Sequence, residues 1–299
     1  MKRTQLNVAL ALAAVALGTA LWLSREQPEP KPPLTPLAED ALHTIEIAHP
    51  DRPVIRLEKR GDDWRLTAPV DAPVDAFELS SLTGLADLEV QRSLPLAEVQ
   101  LAELKLDPPA YTITLNDVTL GFGDTEPIEF RRYVRVGDEV RLIADPPSAA
   151  LDADYSDLVA KELLPAAAQL QRIEVPGLVV QRAADGSWTA DGHADAGADQ
   201  LQGFVSAWRG ARAMWNALRP EDAGDDSGEP VRLVLQDGSE VRLRVVEREP
   251  QLKIDRADYG IRYTLSKADA DKLLKLPEPS PAPTSTPTPT PTPSPTPLP

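Results

Sequence analysis

The chain has 299 residues, with 31 Lys plus Arg against 47 Asp plus Glu and a formal charge of −16 at pH 7. That excess of negative charge excludes long-range attraction to nucleic acid or to anionic lipid headgroups. With no cysteine in the chain, neither a disulfide framework nor a cysteine-borne lipid anchor is available, so a folded body must be held by burial in a domain of ample size.

Lys2 and Arg3 precede an apolar run from Leu6 to Leu23. As a helix it would rise about 27 Å, close to the thickness of a hydrocarbon core. The run ends in the bulky Leu21-Trp22-Leu23 rather than in a small-x-small cleavage site, which favours an uncleaved signal anchor over 6–23. The flanking charges place residues 1–5 in the cytoplasm and everything after the span on the far side, with Trp22 at the outer aromatic belt. Residues 24–41 contain Pro28, Pro30, Pro32, Pro33 and Pro36, a density that blocks helix and sheet and makes a semi-rigid linker.

From Ile45 the pattern alternates: Ile45-Glu-Ile47, Val54 to Glu58, a turn at Gly61-Asp62-Asp63, then Trp64 to Leu66. These read as antiparallel strands. Asp75 is the expected N-cap of a helix carrying Leu79, Leu82, Leu85, Ala86 and Leu88. A strand meander is expected over Tyr111 to Leu115, Val118 to Phe122, Phe130 to Val136 and Val140 to Ile143, then a short helix near Leu151 to Leu164. Gly121-Phe-Gly123 reads as hairpin punctuation without phosphate-loop context.

The order then recurs. Ile173-Glu-Val175 answers Ile45-Glu-Ile47, and Gly186-Ser187-Trp188 answers Gly61 to Trp64. Asp199 opens a helix carrying Leu201, Phe204, Val205, Trp208 and Trp215. Strands are expected at Val231 to Leu235, Val241 to Val246, Leu252 to Asp255 and Ile261 to Leu265, with a closing helix over Ala268 to Leu276. The expected class is α+β, with two repeated antiparallel-sheet-plus-helix units over 42–165 and 170–276. Residues 277–299, largely Pro alternating with Thr or Ser, cannot pack a core and read as a disordered tail.

Chemistry is thinly marked. His43, His49 and His193 have no partner at metal-ligand spacing, and Asp152 to Asp157 lacks the glycine and closing glutamate of a calcium loop, so neither a metal nor a cofactor is expected. The common serine and zinc hydrolase signatures are absent, and no catalytic residue can be named. One constellation stands out: Arg135 and Arg141 flank Gly137-Asp138-Glu139, and Arg256 and Arg262 flank Asp258-Tyr259-Gly260. If each turn closes a three-residue loop, Arg135 faces Arg141 and Arg256 faces Arg262. Like charges so opposed require an acidic neighbour or an anionic ligand, which makes these four arginines the candidate binding residues.

The N-terminal span, the repeated (Ile/Val)-x-(Ile/Val), Gly-x-Trp and Asp-led helix order, and the Arg-flanked strand pair before a final helix together resemble the bacterial envelope family called domain of unknown function 4340, over about Ile45 to Leu276. Such proteins are often encoded beside gliding-motility-type ABC transporter permeases. The resemblance implies an accessory role outside the inner membrane, with a permease or another envelope protein as partner. With the span, its flanking charges and the thin chemistry, the expected protein is a single-pass component of the bacterial inner membrane, its body periplasmic, acting without catalysis as a binding or scaffold component. An envelope glycan or peptide hydrolase using unidentified carboxylates is the alternative, and a purely structural tether is a third.

Overall fold

The computed structural model describes residues 31–145, 151, 154–224 and 227–278, together with Thr19. The expected span over 6–23, Thr19 apart, lies outside the described residues, as do residues 24–30 of the linker and the tail after Glu278. Among the described residues no helix is long and apolar enough to cross a membrane.

The expected α+β class is overturned: the chain is mostly antiparallel sheet, with few and short helices. The first sheet has nine strands: β1 (Thr44–Ala48), β2 (Ile55–Arg60), β3 (Asp63–Ala68), β4 (Ala72–Pro73), β5 (Val90–Pro95), β6 (Tyr111–Leu115), β7 (Val118–Thr125), β8 (Arg131–Val136) and β9 (Glu139–Ala144). Their order is β4-β3-β2-β1-β6-β7-β8-β9-β5. The second sheet has eight: β10 (Leu170–Val175), β11 (Leu178–Arg182), β12 (Trp188–Ala190), β13 (Trp215–Leu218), β14 (Glu229–Leu235), β15 (Glu240–Glu247), β16 (Leu252–Arg256) and β17 (Ile261–Leu265). Its order, β12-β11-β10-β14-β15-β16-β17-β13, follows the first strand for strand, without a counterpart of β4. In both, the strand that follows the helix crosses to the far edge, where it pairs with the last strand of the meander.

Among the described residues from Lys31 on, four α-helices accompany the sheets: α1 (Ala76–Thr83), α2 (Tyr155–Leu158), α3 (Ala198–Arg209) and α4 (Lys267–Leu274). Asp75 caps α1 as expected, accepting from Phe77 N at 3.1 Å and Glu78 N at 3.3 Å. The helix nevertheless stops at Thr83; Leu85 and Ala86 continue in turns and Leu88 lies past them, just before β5. The expected helix near Leu151 to Leu164 shrinks to the four residues of α2. α3 buries Leu201, Phe204, Val205 and Trp208, a stripe at helical spacing. It ends before Gly210, so Trp215 belongs to β13 instead.

Residues 158–163 explain where the missing helix went. On one side Asp75 N donates to Leu158 O (2.8 Å) and Ala160 N to Pro73 O (2.9 Å); on the other, Leu163 N donates to Ala211 O (3.1 Å) and Ala213 N to Lys161 O (2.8 Å). Isolated bridges Val74–Val159 and Glu162–Arg212 complete the ladder. The segment is thus a short extended connector hydrogen-bonded both to the chain leaving β4 and to the chain entering β13. Backbone groups just after β4 and just before β13 that would otherwise be unpaired are satisfied on this connector. One hydrophobic cluster runs through the whole body, from Leu34 to Leu274, with Trp208, Tyr263, Phe122 and Phe204 its largest fully buried side chains.

Candidate functional site

The four arginines singled out above do not face one another. In the first hairpin Val136 pairs with Glu139, Arg135 with Val140, and Val134 with Arg141, which leaves only Gly137 and Asp138 in the loop. Gly137, at φ +55°, supplies the positive dihedral that a two-residue primed turn requires. In the second hairpin Arg256 pairs with Ile261, and Asp255 with Arg262. Strand side chains alternate in direction, so the one-residue difference in register puts the two arginines of each hairpin on opposite faces.

Each arginine is engaged within the chain. Arg141 bonds Glu139 Oε2 (3.1 and 3.0 Å) and Leu34 O (2.6 Å). Arg135 Nε donates to Gly137 O at 3.4 Å. Arg256 bonds Asp258 and Leu163 O and lies 3.6 Å over the Tyr259 ring. Arg262 grips Asp255 through two bonds of 2.6 and 2.9 Å, and that carboxylate raises the guanidinium pKa.

The remaining sequence candidates take structural places. His49 stacks on Tyr111 (5.2 Å between centroids), and His193 Nδ1 lies 3.0 Å from Asp191 O. Asp154 caps α2 by accepting from Ser156 N at 2.8 Å. Among the described residues no group of three or more His, Asp or Glu is placed to hold a metal ion. Gly121 and Gly123 lie inside β7 rather than at a turn, a correction whose cause is the close approach of the Leu104 carbonyl to Gly123.

One concavity that the fold builds was not marked in the sequence. It is a groove of about 580 Å³ lined by Ala38, Glu39, Asp40, Lys59 and Trp64 on one side and by Ala76, Leu79, Ser80, Thr83 and Asp87 on the other. That volume lies within the range of ligand sites. Residues 76, 79, 80 and 83 are spaced i, i+3, i+4, i+7, so one face of α1 forms a wall, while Leu82, Leu85 and Ala86 turn into the core. Lys59 and Trp64 are cross-strand partners in the β2–β3 hairpin and form the floor.

The third wall is the single 3-10 turn Glu39–Ala41. It is fixed by Asn116, whose Oδ1 accepts from His43 N (3.0 Å) and whose Nδ2 donates to Ala41 O (3.1 Å). Thr83 Oγ1 donates to Glu39 Oε1 at 2.6 Å and ties this turn to α1 across the groove. Glu39, Asp40 and Asp87 are exposed, whereas Trp64, Lys59 and Leu79 are half-buried. The lining therefore offers apolar surface below and three carboxylates against one ammonium at the rim.

Fold and groove together define an antiparallel-sheet protein with an open, acid-rimmed surface groove beside its first helix. The sequence profile of the family described as Domain of unknown function (DUF4340) matches residues 64–226, more than half of the 299-residue chain, and the chain belongs to that family. The matched stretch begins at Trp64 on the groove floor and takes in α1, the 158–163 connector and β13. No curated protein and no solved structure matches the chain.

Proposed function

We propose that this protein is a membrane-anchored, non-enzymatic binding or scaffold component of the bacterial envelope, its body periplasmic, accessory to an ABC-type transport complex. Anchorage rests on the apolar run Leu6 to Leu23 and its flanking charges, and residues 24–30 are left to join it to the body, because Leu34 is already buried in the core. The observation that carries the binding role is the groove itself, an exposed concavity with half-buried Trp64 and Leu79 in its lining. Apolar side chains in a concave surface with polar groups at the rim are what a protein partner buries. The test is co-purification of permease subunits with the full-length chain after crosslinking in membranes. Association should be lost when residues 42–276 are deleted; association that survives the deletion, through the anchor alone, overturns the proposal.

The hydrolase reading draws on the same rim, because glycoside hydrolysis uses two carboxyl groups flanking the scissile bond. Against it stands the exposure of Glu39, Asp40 and Asp87 in a groove open to solvent, which does not exclude water from a reacting bond. Release of soluble fragments from peptidoglycan by the purified protein, abolished by Asp87→Asn, would decide for it.

A further inference from the structure

The groove's chemistry narrows the kind of partner it takes, an inference that rests on the binding role proposed above. Trp64 lines the groove together with Leu79 and Ala76, and is half-buried there. Glu39 already accepts from Thr83, whereas the Asp40 and Asp87 carboxylates form no ion pair or hydrogen bond with the described residues. Several carboxylates elsewhere are matched: Glu46 with Arg56, Asp71 with Arg65, Glu139 with Arg141, Asp255 with Arg262. The groove thus combines an aromatic floor with two unmatched negative charges, and among the described residues Lys59 is the one cation in its lining.

We propose that the groove between α1 and the β2–β3 hairpin is a docking site for a basic segment of a partner protein, with a Lys or Arg stem lying over Trp64 and its charge between Asp40 and Asp87. Long basic side chains bury their methylene stems on apolar surface and keep the charged head in water or against a carboxylate. A cation over an indole face gains a further attraction, Trp being the best of the aromatic acceptors. The same charges repel an acidic segment, so the rim sets both encounter rate and choice of partner. The groove lies open to solvent, which suits an extended chain passing along it better than an enclosed small molecule.

The experiment uses the full-length protein in a nonionic detergent. The probes are a fluorescein-labelled peptide of alternating Lys and Leu, its alternating Glu and Leu counterpart, and N-acetyl-lysine amide. Anisotropy should report binding of the basic peptide, weakened by added salt, and none of the acidic one. The double variant Asp40→Asn, Asp87→Asn removes no internal contact and should weaken binding about tenfold, and Trp64→Phe should weaken it less. A matched control, Asp191→Asn with Asp195→Asn in a remote exposed loop, should leave the affinity unchanged.

Equal weakening by the two double variants would show attraction to the general acidity of the chain and overturn the proposal, as would failure of the basic peptide to bind. Binding of N-acetyl-lysine amide as tight as that of the peptide would replace peptide docking with a small-cation site. If Asp40→Asn, Asp87→Asn protein still co-purifies with permease subunits, the groove assignment falls while the accessory role stands. Loss of co-purification only on deleting residues 42–276 separates the two.

Discussion

Lys161 sets its ammonium 3.1 Å from Asp75 Oδ2, although the two residues are 86 positions apart and belong to different segments of the connector ladder. Asp75 is 3% exposed, caps α1 with its other oxygen, and also lies 3.5 Å from the Arg212 guanidinium. Glu162 in turn pairs with Arg212. One buried carboxylate therefore holds the start of α1, the 158–163 connector and the approach to β13. Asp75→Ala removes the cap and leaves Lys161 without its partner, at a cost of about 2–4 kcal/mol. Asp75→Asn keeps a capping oxygen and loses only the charge, costing about 1–2 kcal/mol. Urea midpoints should fall in the order wild type, Asn, Ala; an Ala variant as stable as wild type would remove Asp75 from this role.

Asp157, on α2, feels the opposite environment. Burial is the main cause that pushes its carboxyl pKa above the ordinary value, with the Asp154 and Glu78 charges adding to it and Lys161 opposing. A carboxyl whose folded pKa is raised adds stability that is fully present below its unfolded pKa and is lost as pH rises through the folded one. Asp157→Asn should therefore raise the unfolding midpoint at pH 7. The gain should shrink to nothing as the pH is lowered below the usual carboxylate range. A gain that persists unchanged at low pH would point to packing rather than charge.

Trp208 shows how α3 and α4 are fastened. It is fully buried, and its Nε1 donates to Leu273 O at 2.9 Å, in the last turn of α4 where carbonyls have no partner within the helix. Trp208→Phe keeps an aromatic ring but strands that carbonyl and leaves a void, a loss of about 2–3 kcal/mol. Amide exchange across Lys267–Leu274 should accelerate more than exchange in β6 or β7. Uniform acceleration would mean that the bond does not hold α4 in particular.

Periodicity made some of this architecture legible and concealed the rest. The Leu201, Phe204, Val205, Trp208 stripe and the Asp75 cap were readable because they depend on neighbours within a helical turn or two. β5 was not, because Val90 to Pro95 shows no clean alternation and finds its partner only in β9, about 50 residues on. Trp215 extended the α3 pattern on paper, but Gly210 ends the helix and Thr264 takes Trp215 as a strand partner. The 159–163 stretch is mostly good helix formers, yet unpaired backbone on both sides, at Pro73 and Asp75 and at Ala211 and Ala213, holds it as an extended connector. The arginine hairpins turned on a single residue of loop length, which reverses every facing pair. The groove gathers residues from 38–40, 59, 64 and 76–87, each of which alone reads as ordinary surface. Its one local trace is the second face of α1, Ala76, Leu79, Ser80 and Thr83, opposite the core stripe.

Gly123 provides the sharpest test of packing in the first sheet. A Cβ built there would lie 2.3 Å from Leu104 O and 2.9 Å from Leu106 Cγ and Cδ2. The carbonyl belongs to the backbone of a turn closed by Leu106 N donating to Leu101 O at 2.8 Å, and it also accepts from Asp124 N at 2.9 Å. It cannot swing aside as a side chain would, so Gly123→Ala must displace the 101–106 turn or bend β7, costing about 2–3 kcal/mol. Gly121, two residues earlier on the same strand, is the control: its Cβ would meet Pro109 Cβ at 3.5 Å and Arg135 Cβ at 3.7 Å, ordinary contact distances. Gly121→Ala should change stability by less than about 1 kcal/mol. Adding Leu106→Ala to Gly123→Ala relieves only the side-chain contact, so most of the loss should remain. If the double variant recovers wild-type stability, the steric conflict lies with Leu106 and not with the Leu104 carbonyl.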